Sequence, residues 1–184
     1  MPRIGDTGQP GSGDIRDSVL LKPFASHGIN LSKIANGQVI ADCPFCGEMG
    51  IGKLYISTIN TKWNCFKCQA SGNANSFLEQ LLVVSEADTS NIELETIRKD
   101  RRLLSIDSLR QWRVCISVIT GDWLIPAYHP SGKFKQLYRR ARILDKGKWV
   151  WALLPTPGLH ADGEVHGIFG VIGDEDGTLD LGDN

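Results

Sequence analysis

Long apolar runs are missing from this 184-residue chain. No stretch approaches the ~20 consecutive apolar residues that a membrane helix requires, so no membrane partner is expected. The opening MPRIGDTGQPGSGD lacks the apolar centre of a secretory leader, and the expectation is a chain kept in a reducing cytoplasm. Overall charge is nearly absent too, with 20 Lys and Arg against 21 Asp and Glu. Histidine is scarce at four residues. His129, His160 and His166 have no Ser or Cys partner at a recognisable spacing and read as loop histidines, not as part of a nucleophilic site. No internal repeat is apparent.

Against these absences stand five cysteines, four of them in two Cys-x-x-Cys pairs. Cys43/Cys46 and Cys65/Cys68 are separated by eighteen residues in CPFCGEMGIGKLYISTINTKWNCFKC. That spacing falls within the pattern of structural zinc sites, in which each pair supplies one tight knuckle. Four thiolates leave no open position for water, so the expected Zn²⁺ is structural and not catalytic. The alternative, two disulfides in an exported domain, conflicts with the missing leader. Cys115 lies in the apolar run VCISVI and reads as a buried small hydrophobe.

The charge that cancels overall does not cancel locally. Between Ser105 and Leu154 nine Lys and Arg face three acids, a net of +6, whereas Pro155 to Asn184 holds seven acids and no Lys or Arg. Such asymmetry fits a polyanion-binding face beside a segment of different purpose, or simply a solvated surface. Arg98, Lys99, Arg101 and Arg102 are balanced by nearby acids and read as a solvated helix face.

Along the chain, residues 1–14 are expected to be disordered. Residues 15–35 read as a short helix broken near Pro23, with a turn at Gly28. Strands are expected at Val39–Ala41, Lys53–Ile59 and Lys62–Phe66, the antiparallel plan of a zinc ribbon. A helix follows, with Phe77, Leu78, Leu81 and Leu82 on one stripe packed on the ribbon. Residues 85–104 read as a linker with a helical middle, a capping box at Ser90–Glu93 and a Glu95–Lys99 pair. A helix from Ser105 should turn Leu109 and Trp112 inward. Beyond Cys115 the runs CISVIT, WLIPAYHP, KFKQLYRRARI, KWVWALLP and GIFGVI read as short strands of a small antiparallel sheet, with turns at Ser131-Gly132 and Lys146-Gly147. The fold class is therefore α+β: a small β-rich, four-cysteine zinc ribbon with flanking helices (15–84), joined through 85–104 to a mixed α/β basic subdomain (105–172), then an acidic tail (173–184).

The ribbon offers Lys53, Lys62, Lys67, Tyr55 and Trp63 near its hairpin. Rings flanked by lysines suit single-stranded DNA, where bases stack and phosphates pair with cations. The other reading of Tyr55 and Trp63 is that they form half of a small core. Phe45 and Phe66, inside the knuckles, are expected to shield the metal.

Three clusters, Cys43-Pro44-Phe45-Cys46, Trp63-Asn64-Cys65-Phe66-Lys67-Cys68 and Ser71-Gly72-Asn73 followed by Ser76-Phe77-Leu78, resemble the zinc-binding domain of bacterial and phage DNA primases. Many members of that family have His at the second ligand position; Cys46 is as in phage primase-helicases. Trp123-Leu124-Ile125-Pro126, Pro130-Ser131-Gly132-Lys133 and Arg139-Arg140 are similar to the N-terminal basic part of the family's Toprim-type polymerase domain. There Arg140 matches an Arg near the DNA–RNA hybrid path. Lys148, Pro155 and His166-Gly167-Ile168-Phe169-Gly170 look like the family's lysine-proline segment and aromatic-glycine run.

The resemblance implies a primase, or the N-terminal portion of a primase-helicase, in a bacterial or phage-infected cytoplasm. Its ribbon would recognise a single-stranded DNA template, and its basic part would hold template, RNA primer and nucleoside triphosphates, with a replicative helicase in cis or in trans. Candidate DNA contacts are Lys53, Lys62, Trp63, Lys67, Lys133, Lys135, Arg139, Arg140, Arg142 and Lys148. Nucleotidyl transfer in the family needs Mg²⁺ or Mn²⁺ held by a Glu-Gly and an Asp-x-Asp element. Asp174-Glu175-Asp176 lacks the preceding element and reads as solvated tail, so those catalytic acids are not expected in this chain. A zinc-ribbon adaptor that binds nucleic acid or protein without catalysis is the alternative.

Overall fold

The computed structural model describes residues 18–46, 52–100 and 104–157. The expected disordered tail, Arg101, Arg102, His160, His166, the GIFGVI strand and the acidic tail lie outside the described residues.

Two antiparallel sheets carry the chain, each a simple meander with neighbours in sequence order. The first comprises β1 (Ile34–Ala35), β2 (Gln38–Ala41), β3 (Leu54–Ser57), β4 (Trp63–Cys65) and β5 (Ser71–Gly72). The second comprises β6 (Cys115–Ile116), β7 (Trp123–Tyr128), β8 (Phe134–Asp145) and β9 (Lys148–Pro155). Helices α1 (Lys22–Ala25), α2 (Ala74–Asp88), α3 (Asn91–Asp100) and α4 (Ile106–Gln111) complete the described elements. The class is α+β, as the sequence patterns require.

Strand alternation decides which ribbon residues turn inward. Val39, Ala41, Leu54, Ile56, Trp63 and Cys65 are buried, while Tyr55, Ser57 and Asn64 between them stand on the other face. The register Leu54↔Cys65, Tyr55↔Asn64 and Ile56↔Trp63 joins like with like across the hairpin. The expected strand 53–59 stops at Ser57 because Thr58 turns away, donating its amide (3.0 Å) and hydroxyl (2.8 Å) to Gly37 O.

Helix α2 starts where Asn73 and Ser76 cap each other, each side chain accepting the other's backbone N–H. Its Phe77 is the hub of an aromatic cluster, with ring centroids 5.0 Å from Phe24, 5.2 Å from Phe45 and 5.5 Å from Trp63. The helix touches β5 on the ribbon side and β6 and β8 on the other. One buried cluster therefore runs from Leu54 and Trp63 through Phe77 and Leu81 to Cys115, Leu124 and Leu137. A second, smaller cluster gathers Leu94, Ile97, Leu109 and Val114 against Trp123 and Ile125.

Several local expectations change. Pro23 opens α1 and does not break it, since a first-turn residue needs no amide donor. Ser90 and Glu93 do cap α3 reciprocally, but Glu95 pairs with Arg98 at i,i+3. Ser105 caps α4 and Leu109 is buried, whereas Trp112 is the C-cap residue and lies 57% exposed. CISVIT is strand only at Cys115–Ile116; the Ser117 hydroxyl then accepts from the amides of Ile119 and Thr120 and bends the chain into a turn. The Lys146-Gly147 turn has φ of 46° and 81°, the left-handed pair that a two-residue hairpin demands.

Candidate metal centre

The two Cys-x-x-Cys loops meet at one end of the ribbon because β3 and β4 are in direct register and each knuckle lies at their Cys65 end. The four sulfurs of Cys43, Cys46, Cys65 and Cys68 all lie within 4.8 Å of one another. Cys46 Sγ is 3.4 Å from Cys65 Sγ, and Cys43 Sγ is 3.9 Å from Cys68 Sγ. All four are free thiols, which overturns the disulfide alternative.

A tetrahedral ion with Zn–S bonds of about 2.3 Å separates its sulfurs by roughly 3.8 Å, so the quartet fits Zn²⁺ in both dimension and donor type. Four sulfurs close the coordination sphere, which gives the centre a structural character. Its electrostatics show why a cation belongs there. Burial pushes the Cys43 thiol far above its ordinary value, and Cys46 rises through partial burial and its bond to Cys65. Burial acts against the Cys65 thiolate as well, but hydrogen bonds from the backbone of Cys68 and Lys67 outweigh it and bring that group to about 7. A divalent ion supplies the charge that lets all four ionise together.

The surrounding aromatics divide in a way the sequence did not show. Phe45 packs inward on Trp63 and Phe77. Phe66 is 69% exposed, with its ring edge-on to Tyr55 at 4.9 Å, so it does not enclose the metal. Trp63, offered above as a DNA contact, is 2% exposed and its Nε1 donates to Asn73 O at 2.8 Å. Its ring faces are occupied by the core and cannot stack on a base. The pair of half-buried Tyr55 and exposed Phe66, missed as a pair in the sequence, stands instead beside the exposed Lys53, Lys62 and Lys67. The Phe66 amide donates to Lys53 O at 3.1 Å, which brings the second knuckle up to the start of β3.

On the second sheet the basic residues also separate. Lys133 and Lys148 are exposed and Lys135 is half-buried. Arg139 pairs with Asp122 at 3.3 Å, and Arg113 pairs with Glu86 at 2.8 Å. Arg140 is 8% exposed, its guanidinium 4.1 Å from the Trp123 ring centroid and 4.6 Å from that of Trp151. The sequence marked Arg140 as a nucleic-acid contact; the structure buries it against two neighbouring indoles, whose ring centroids are 6.1 Å apart. Arg142 is exposed and 5.9 Å from the Trp151 ring. His129 is exposed in the β7–β8 turn, as a loop histidine. Cys115 is fully buried, and burial raises its thiol to about 12, which makes it inert.

Among the described residues, the cysteine quartet is the one group of His, Cys, Asp or Glu side chains gathered closely enough to hold a metal ion. No helix among them is long and apolar enough to cross a membrane.

No family model matches the chain, and no curated protein matches it in sequence. Among solved structures it is similar to the crystal structure of the Aquifex aeolicus primase (zinc binding and RNA polymerase domains), at 14% identity and a TM-score of 0.28. The match covers 80% of this chain and 54% of that one, so the chain spans about half the length of the primase it aligns with. A likeness this loose carries no weight on activity.

Proposed function

We propose that this chain is the template-binding portion of a DNA primase, or of a primase-helicase, built on a structural Zn²⁺. The observation that carries the reading is the sulfur quartet at the end of a ribbon that displays the Tyr55–Phe66 pair among three exposed lysines. A rigid metal knuckle with rings and cations beside it is suited to gripping an unpaired strand. The Cys-Pro-Phe-Cys and Trp-Asn-Cys-Phe-Lys-Cys clusters, which resemble the primase zinc domain, support the same reading. In it, residues 15–84 recognise single-stranded DNA, 85–104 connect, and the basic 105–172 subdomain holds template, RNA primer and nucleoside triphosphates. Lys53, Lys62, Lys67, Lys133, Lys135, Arg142 and Lys148 meet phosphates. Mg²⁺ or Mn²⁺ chemistry belongs to a catalytic segment beyond these residues, and a replicative helicase acts in cis or in trans.

The test is fluorescence anisotropy with a single-stranded oligonucleotide across a salt series. Affinity should fall steeply as salt rises, and Lys53→Glu with Lys67→Glu should weaken it at every salt concentration. Absent or salt-independent binding would remove the proposal.

A zinc-ribbon adaptor without catalysis is a second reading, favoured by the acid-only composition of residues 155–184, which suits a basic partner. Template-directed incorporation of ribonucleotides, once the chain is joined to a catalytic segment, separates the two. Stimulation supports the primase, and none supports the adaptor.

A further inference from the structure

Cross-strand pairing sets Trp123 opposite Arg140, Arg142 opposite Trp151 and Leu144 opposite Trp149. Directly paired residues share a face of the sheet, as do residues two apart on one strand. These six side chains therefore stand on one face of β7–β8–β9. Its inner end is covered, since Trp123 packs against the cluster of Leu94, Ile97, Leu109 and Val114. Toward the hairpin tip the cover stops: Trp149 is 61%, Leu144 61% and Trp151 43% exposed.

Two indoles and a leucine left in water on one face form the kind of apolar patch that marks an interaction site. Charge selects the occupant. Arg142 stands exposed on this face, and the hairpin tip adds the exposed Lys146 and Lys148 against one acid, Asp145. An apolar protein surface would leave these three cations without counter-charge, whereas a single polynucleotide strand brings flat bases for the indoles and phosphates for the cations. Trp149 and Trp151 are spaced along the last strand of the sheet among the described residues, at about 6.8 Å between Cα atoms. That is about twice the 3.4 Å rise per base, which leaves room for one base plane between them.

We propose that the β8–β9 hairpin is a second stacking platform, where bases of a single strand pack on Trp149 and Trp151 and Arg142 meets the adjoining phosphate. Arg140, packed against both Trp123 and Trp151, stiffens the platform from below and does not touch the strand. The proposal rests on the reading of this chain as a single-strand binder.

The experiment compares oligo-dT with an abasic oligonucleotide of equal length, using the full chain and its Trp149→Ala, Trp149→Phe and Arg142→Ala variants. Trp149→Ala should bind oligo-dT about tenfold more weakly, with Trp149→Phe close to the unaltered chain. On the abasic strand Trp149→Ala should match the unaltered chain. Arg142→Ala should reduce the salt slope by about one phosphate contact on either strand. In the unaltered chain, oligo-dT should also protect tryptophan fluorescence from acrylamide, a readout that no variant's folding can disturb.

If the unaltered chain binds oligo-dT while Trp149→Ala binds it equally well, the platform is overturned and the proposed function stands. Unprotected fluorescence in the bound complex overturns it too. A chain that binds no oligo-dT overturns both. A dimer dispersed by Trp149→Ala, with oligo-dT affinity unchanged, gives the face to a second copy and ends the proposal.

Discussion

The imidazole Nε2 of His27 lies 2.8 Å from Thr156 Oγ1, across 129 residues of sequence. The Thr156 hydroxyl donates its own hydrogen to Leu137 O at 2.6 Å, so it accepts from His27. The neutral ring thus carries its proton on Nε2, and the buried Nδ1 has no partner among the described residues. Protonation would place an unpaired N–H and a charge in that site, beside Arg139. Burial, then the Arg139 charge, lower the group to about 4.

A pH dependence follows, with a fixed sign. A histidine whose folded value lies below its unfolded value of about 6.5 contributes stability that is complete above 6.5 and is lost as pH falls toward 4. Urea midpoints should therefore drop across that window by the equivalent of up to about 3 kcal/mol. His27→Gln, which keeps a donor for Thr156, should flatten the profile. An unchanged slope in that variant would assign the acid sensitivity elsewhere.

Metal analysis of the intact chain should return about one zinc per chain, and Cys65→Ser about none. Because the binding energy of such a site is folding energy, the same variant should lose amide protection in β3 and β4. Full protection in a metal-free Cys65→Ser chain would contradict a structural role.

Gly72 permits the start of α2 in a specific way. A Cβ there would overlap the Ser76 hydroxyl, which is engaged in the capping box with Asn73. Gly72→Ala should cost about 1–2 kcal/mol by breaking the cap. Ser76→Ala should cost a similar amount, and the double variant little more than either, as measured in urea denaturation.

Arg140 and Arg142 are two residues apart and should behave oppositely. Arg140→Ala removes the cation on which two rings pack and should lower stability by about 1–3 kcal/mol. Arg142→Ala should leave the melting temperature within a degree or two while it weakens strand binding. Arg140→Lys separates packing from charge: a lysine lacks the planar surface that fills the gap, so most of the loss should persist.

The sequence made the quartet readable because cysteine spacing is a local property. The Ser90–Glu93 cap and the Lys146-Gly147 turn were readable for the same reason. Trp63 and Phe66 were not, since both sit among lysines and only strand alternation in a three-residue β4 assigns the tryptophan inward and leaves the phenylalanine out. The burial of Arg140 was not readable because it depends on the register that brings Trp123 and Trp151 to either side of it. That pairing joins residues far apart in the chain. Trp112 looked apolar enough for the core, yet the helix ends one residue before it and turns it outward. The stripe of Phe77, Leu78, Leu81 and Leu82 was visible, but its second use against Cys115 and Leu124 belongs to tertiary packing.

Helix α2 lies between both sheets, and the same run of side chains fills the space on either side of it. Loss of the ion from the cysteine end would therefore not stay local. The helix would lose its footing on the ribbon, and the basic sheet would lose the surface against which its strands are held. Zinc occupancy would then be felt some distance away, as a slackening of the tryptophan-bearing hairpin.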